Sequence, residues 1–325
     1  HFFNGGLLTP QACIARAAAR TNQLYSPLVA ESARWGDAQR TVPYNRNVDW
    51  LANVNLTFTN YFPQRSGIVL NQLRGKGLYP TVTAPSFNQH GGEIDAGFAL
   101  AMTAPTGLIY YTLDGSDPRL PGGGVAPAAL VYSGPVTLNE SVLVKSRALD
   151  NGVWSALNEA AFLVRQTFAE LFITELMYHP PAAGETDGDE FEFIELKNVG
   201  AQDLDLGGVH FTDGITYTFP FGTALGPGQF IVLASNPTQF AAKYPGIPVF
   251  GSYLGRLSNG GERVRLSHAT GATIFSVTYS DTAPWPGAAD GQGFSLVPAN
   301  PNLNSNPDAP ASWRASACTA PLAAA

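Results

Sequence analysis

The sequence predicts a mainly β protein: two β-sandwiches preceded by a short α-helical segment. Three observations carry this prediction. Charged residues make up only 13% of the chain, whereas Gly (34) and Pro (25) are abundant, a balance that suits many short strands and turns. Aromatic and β-branched residues recur in short runs from Tyr79 onward, which argues for packed strands and against disorder. Before Tyr79 the apolar spacing is helical instead. At 325 residues the chain has room for two or three domains.

The helical segment covers residues 1–78. Pro10 to Ala19 is alanine-rich, with Thr9 placed to cap it and Pro10 at the first helical position. Pro27 to Trp35 reads as a second helix. Asn47 to Phe62, with Val48, Leu51, Val54 and Phe58 at helical intervals and Asn47 as cap, reads as a third. Ser66 to Arg74 reads as a fourth, ended by Gly75 and Gly77. Residues 79–165 then switch to strand patterning. Strands are predicted at 97–104 (Phe98, Leu100 and Met102 on one face), 108–113, 129–132, 136–138, 142–148 and 159–164. Turns fall at Asp114-Gly115 and Asp150-Asn151-Gly152. Gly122 to Gly124 follows Pro121 and opens no helix, so it reads as a loop and not as a phosphate cradle.

Residues 166–316 form the second predicted sandwich, with 317–325 as a tail. Strands are predicted at 168–178, 191–198, 203–206, 209–212, 216–219, 230–234, 264–267 and 273–279, with a short helix at 238–244. Phe191, Phe193, Phe211, Phe219, Phe230, Phe275 and Phe294 are the core candidates, and Trp313 is expected to pack back on the domain. The first two strands should pair across the acidic loop between them.

Three stretches resemble known families. HFFNGG, SARWGD, VDWLANVN and NYFPQRSGIVLNQLRGKGLYP, in that order within residues 1–80, are similar to the C-terminal end of the CotH kinase-like family. That family's nucleotide- and metal-binding residues would precede His1, and Asp37 and Asp49 read as a turn residue and a helix-start acid. YTLDGSDP (111–118) with VLVKSRAL (142–149) resembles the fibronectin-like domain appended to bacterial chitobiases and hexosaminidases, a non-catalytic type. Its Asp114 and Asp117 are expected to satisfy backbone amides in turns. ITELMY (173–178), EFIELKN (192–198), LDLGGVHFTDG (204–214), LGPGQFIVLASNP (225–237), LSNGGERVRL (257–266) and WPGAADGQGFSL (285–296) resemble the lamin tail domain. The resemblances imply immunoglobulin/fibronectin-like sandwiches in a larger exported bacterial protein, extracellular or at the cell surface. Its partners would be a surface or matrix protein, a polysaccharide, or further copies of itself. Two alternatives stay open: the C-terminal part of a CotH-type kinase, or a carbohydrate-binding module using the aromatic loops near Trp285 and Tyr253.

Candidate chemistry concentrates in 185–195. Asp187, Asp189 and Glu190 could offer hard oxygen ligands to Ca²⁺, with Glu185 near enough to join; the other reading is a solvated acidic loop. Glu175, Glu192 and Glu195 lie within apolar strands and need partners, expected from Arg263, Arg265 or backbone N–H groups. His179, His210 and His268 show no ligand spacing, and no Walker, G-x-S-x-G or dinucleotide motif is present. The net charge of −7 and scattered Lys76, Lys145, Lys197 and Lys243 argue against nucleic acid. No apolar run reaches the ~20 residues of a membrane helix. The first residues lack the features of a signal peptide, and the chain reads as a fragment. Cys13 and Cys318 leave a disulfide conceivable but not required.

Overall fold

The computed structural model describes residues 2–38, 40–300 and 306–317. Cys318, and with it the possible pairing with Cys13, lies outside them. The chain divides into two compact units. One is His1–Pro85 with Ala104–Ile109 and Arg147–Leu157; the other is Ser86–Thr103, Tyr110–Ser146 and Asn158–Ala325.

The first unit is helical where its sequence predicts helices. Pro10–Leu24 starts as expected: Thr9 accepts a hydrogen bond from Ala12 N, and Pro10 occupies the first turn. Pro27–Trp35 follows. The third predicted helix begins earlier than expected, and its cap is Asn45, not Asn47: the Asn45 side chain accepts from Val48 N at 2.9 Å. It also fails to stop at Phe62. Arg46–Trp50, Leu51–Leu56, Thr57–Tyr61 and Phe62–Gly75 run on as one helical path. One wider turn, Arg46–Trp50, opens it and a second, Thr57–Tyr61, interrupts it just before Pro63, where the missing N–H loosens the helical ladder. Within its helices only Leu70 is buried. Arginines instead lie over rings at the surface: Arg40 over Tyr44 at 3.8 Å, Arg46 over Tyr25 at 4.0 Å and Arg34 over Trp35 at 5.0 Å. Such stacks are individually worth only about 0.5–1 kcal/mol when exposed. Among the described residues, no helix is long and apolar enough to cross a membrane.

The second unit is β throughout, apart from one helix and short 3₁₀ turns. In its first part Asn158–Val164 pairs antiparallel with the strand starting at Val142 and parallel with Gly92–Ile94. Phe98–Leu100 pairs with Val136–Leu138. Leu100 and Met102 are buried on the predicted shared face. Asp114 Oδ1 accepts from Ser116 N at 2.9 Å, and Asp117 Oδ1 accepts from Arg119 N at 2.9 Å. Both aspartates therefore act as the turn residues expected of them.

Two sheets build the rest of the unit. One orders its strands Gly251–Ser252, Phe230–Ala234, Phe193–Asn198, Leu171–Met177, Leu296–Pro298 and Trp313–Ala315. The other orders Leu254–Gly255, Ile215–Thr218, His210–Asp213, Arg263–Ser267 and Thr273–Thr278. Their facing sides enclose a core including Ile173, Leu196, Phe211, Phe219, Leu266 and Trp313. The predicted pairing across the acidic loop is present: Leu171–Met177 lies antiparallel to Phe193–Asn198, with a register shift between Ile173 and Glu175.

Pro237–Lys243, capped by Asn236, carries the chain from Phe230–Ala234 to the parallel Gly251–Ser252 strand. This crossover packs Phe240 and Tyr244 on Met177, Phe193 and Val232, on the outer face of the first sheet. The central strands are therefore buried on both faces, which explains why they read as near-continuous apolar runs rather than alternating ones. Of the core candidates, Phe230 and Phe294 are only half-buried; Lys197 Nζ lies 4.5 Å over the Phe230 ring.

The two halves of this unit are joined by polar bonds. Ser141 N donates to Asp205 Oδ2 at 2.6 Å, Asp205 N donates to Gln166 Oε1 at 3.0 Å, and Gln166 Nε2 donates back to Asp205 O. Asp205, which alternation places on the outward side, is half-buried because it closes this junction.

Candidate functional site

The acidic loop folds into a single 3₁₀ turn, Gly188–Phe191. Asp187 begins it, its Oδ1 accepting from Asp189 N at 3.1 Å. Phe191 is buried, which anchors the turn to the domain. Lys243 Nζ lies 4.2 Å from the Phe191 ring. Gly188 permits a close approach: a Cβ there would collide with the Pro180 carbonyl oxygen. Gly188→Ala is expected to cost about 1–3 kcal/mol, as overpacking against rigid backbone does, and a thermal melt compared with the unsubstituted chain measures it.

The structure separates the three predicted calcium ligands by partner. Asp187 caps the turn. Glu190 pairs with Arg256 and accepts from Asn236 Nδ2 at 2.7 Å. Asp189 has Asn259 Nδ2 at 3.5 Å from its carboxylate, and its backbone carbonyl accepts from Ser235 Oγ at 2.7 Å. Among the described residues, no group of three or more His, Cys, Asp or Glu side chains is placed to hold a metal ion.

Beneath the turn lies Glu192, one of the three acids among apolar strands that need partners. Glu192 is fully buried. Its Oε2 accepts from Leu257 N at 3.0 Å and from the Tyr253 hydroxyl at 3.2 Å, whereas Oε1 has no hydrogen-bond partner. Burial pushes the Glu192 carboxyl up to about 8, and Asp189 adds to the shift; Leu257 N, Tyr253 and Arg256 pull the other way. Tyr253 is itself driven far above its ordinary range by burial and by Glu192. With its ring buried, Tyr253 offers no platform to a sugar, which corrects that part of the carbohydrate reading.

The other two strand carboxylates are also fully enclosed. Glu175 and Glu195 face each other across neighbouring strands. Ser295 Oγ donates to Glu175, and Thr174 Oγ1 donates to Glu195 at 2.7 Å. The expected arginine partners are elsewhere: Arg263 and Arg265 both pair with Asp213, at 2.7 and 3.0 Å. The acids lie on the first sheet and Asp213 on the second, a division that spacing along the chain does not reveal. His179 holds Asp290 at 2.6 Å, His210 the Gly208 carbonyl at 3.0 Å and His268 Thr270 at 2.9 Å. The partners of His210 and His268 are local, whereas that of His179 lies 111 residues along the chain.

These features define a class: a mainly β protein of immunoglobulin-like sandwiches whose buried strand acids accept hydrogen bonds from the fold. Within it, residues 165–281 match the Lamin Tail Domain family and residues 98–156 match the Fn3 associated family. The second sandwich is thus similar to the lamin tail domain, and the stretch before it to the Fn3-associated family. Among curated proteins, none matches the chain. A solved structure of a DUF4876 family protein from Bacteroides thetaiotaomicron is 11% identical, with 70% of this chain and 90% of that chain covered and a TM-score of 0.31.

Proposed function

We propose that this chain is a non-catalytic structural and adhesion part of a larger exported bacterial protein. It mediates attachment or assembly at the cell surface or in the extracellular matrix. The observation that carries this reading is the use made of its carboxylates: Asp187 caps, Glu190 pairs with Arg256, Asp205 joins two halves and Asp213 holds two arginines. Thr273–Thr278 supports it further, as an edge strand able to accept another strand by backbone pairing. The partners this reading implies are a surface or matrix protein, a polysaccharide, or a second copy.

Co-sedimentation of the intact chain with bacterial envelopes and insoluble polysaccharides, alongside size-exclusion chromatography, tests the reading. Saturable retention or self-association without ATP turnover is the expected result. Neither retention nor association, or nucleotide hydrolysis by the chain itself, overturns it.

A second reading draws on the helical segment. Its helices bury only Leu70, while Leu24, Val29, Trp35, Val48, Leu56 and Ile68 are exposed. So much uncovered apolar surface favours a segment that completes a larger CotH-like domain. ATP-dependent labelling seen only when the segment is joined to such a domain would support this reading.

A further inference from the structure

We propose that Glu175 and Glu195 share one proton beneath the crossover, and that its loss at alkaline pH opens this face of the first sheet. The pair is then a pH-dependent latch, and the proposal does not depend on the attachment reading. The two residues are Cα partners on adjoining strands, Leu171–Met177 and Phe193–Asn198. Residues directly opposite in an antiparallel pair point to one face, with Cβ atoms about 5 Å apart. Alternation puts Glu175 on the side of Met177 and Glu195 on the side of Phe193. That is the outer face, where Met177 and Phe193 pack under Phe240 and Tyr244. Both acids are enclosed, with 1% and 0% of the residue exposed. Two ionised carboxylates so placed repel each other without water to screen them, and one proton held between them removes the repulsion.

The groups around the pair suit a shared proton. Ser295 Oγ donates to Glu175, and Thr174 Oγ1 donates to Glu195 at 2.7 Å, so each carboxyl has a neutral donor. The flanking strands Phe230–Ala234 and Leu296–Pro298 bring no titratable residue. Lys197 lies over the Phe230 ring at 4.5 Å, and Lys243 over the Phe191 ring at 4.2 Å. From the crossover, Tyr244 faces the pair: burial, and then Glu175, pushes its hydroxyl above its ordinary range, so it stays neutral. That hydroxyl is also buried without a hydrogen-bond partner, which is the independent observation. Apolar contact, not a hydrogen bond, holds the cover at this point. When the shared proton passes to a base in solvent, two charges are left on an enclosed face. Keeping both buried is costly, so the crossover lifts, water enters, and Met177, Phe193 and Val232 are uncovered.

The test uses the intact chain. Infrared spectroscopy in heavy water at about pH 6.5 counts protonated carboxyl groups by their carbonyl band, since exposed carboxyls are ionised there. The expected count is about two, one for Glu192 and one for the pair. Glu192→Gln removes one, and Glu175→Gln or Glu195→Gln removes the other. As pH is raised toward about 10, the band of the pair should vanish while an apolar fluorescent dye binds several-fold more. Either glutamine at the pair puts a neutral amide where the proton was shared, so the dye transition should move up by about one pH unit or more. Circular dichroism verifies the fold of each variant. If neither pair variant folds, the band of the Glu192→Gln protein decides: one protonated carboxyl lost together with dye uptake supports the latch, and none overturns it. A band wholly removed by Glu192→Gln overturns the shared proton. Absence of a dye transition, or one unmoved by both pair substitutions, overturns the latch.

Discussion

Asn198→Ala is expected to lower the stability of the second unit by about 3–5 kcal/mol, because it strands several buried backbone groups at once. Asn198 is the last residue of its strand and is fully buried. Its side-chain nitrogen donates to Gln202 O at 2.7 Å and to Leu225 O at 2.8 Å, and its side-chain oxygen accepts from Gly200 N at 2.9 Å. Its main chain adds two more bonds, from Asn198 N to Gln229 O at 3.1 Å and from Gly228 N to Asn198 O at 2.8 Å. One residue therefore fixes the turn after its own strand and the turn that introduces Phe230–Ala234. Alanine keeps the main-chain bonds and removes all three side-chain bonds, leaving the Leu225 carbonyl dry. Asn198→Asp should be worse, since it replaces the donating nitrogen with a buried charge facing two carbonyls. Thermal and urea melts measure both effects, with Asn198→Ala lowering Tm by roughly 10 °C for a unit of this size. A loss under about 1 kcal/mol would mean that water replaces the amide, and the organising role would fall.

This residue also shows where sequence reading stops. Asn198 was legible as the end of a strand, since asparagine is poor in strand interiors. Its role as organiser was not, because Leu225 lies 27 residues away. The same division runs through the molecule. Period and turn chemistry are local, so Val136–Leu138 and Phe230–Ala234 were read at their observed bounds, and Asn151 and Gly152 adopt the positive φ that their turn requires. The helix start at Asn45 rather than Asn47 is a contest between two good caps two residues apart. It is decided by Asp49, which accepts from Asn45 N at 2.8 Å and pairs with Arg40 at 2.6 Å. Carboxylate partners are the least legible feature. Ser295 lies 120 residues from Glu175, and Leu257 lies 65 from Glu192. Charge matching along the sequence pointed instead to Arg263 and Arg265, which the fold gives to Asp213.

The second sandwich is expected to lose stability as pH rises from about 4.5 to about 8 when divalent cations are chelated, and Glu192 is the cause. Its carboxyl is raised from 4.5 to about 8, chiefly by burial. A group whose folded pKa lies above its unfolded value holds its proton more tightly when folded. Below about 4.5 both states are protonated and Glu192 is neutral to the balance. Between the two values the unfolded chain releases the proton and the folded chain keeps it, so stability falls by about 1.4 kcal/mol per pH unit. Above about 8 both states are ionised, and the full loss, on the order of 5 kcal/mol, is in place. The groups facing Glu192 set this window. Asp189 raises it, Arg256 lowers it, and Tyr253 and Tyr279 stay neutral there because both hydroxyls are pushed above their ordinary range. The lowered carboxyls of Asp49 and Asp114 titrate below their usual value, outside the window and with the opposite sign. Glu192→Gln isolates the effect. Its amide oxygen can still accept from Leu257 N and Tyr253, it carries no charge, and its stability should vary less with pH in this range. Denaturant melts of both proteins from pH 4.5 to 8.5 in chelator should therefore diverge steadily, with the glutamine variant the more stable at the alkaline end. Parallel profiles would show that the enclosed carboxyl releases its proton as readily as an exposed one, and the account of Glu192 as a proton-holding strut of this domain would fail.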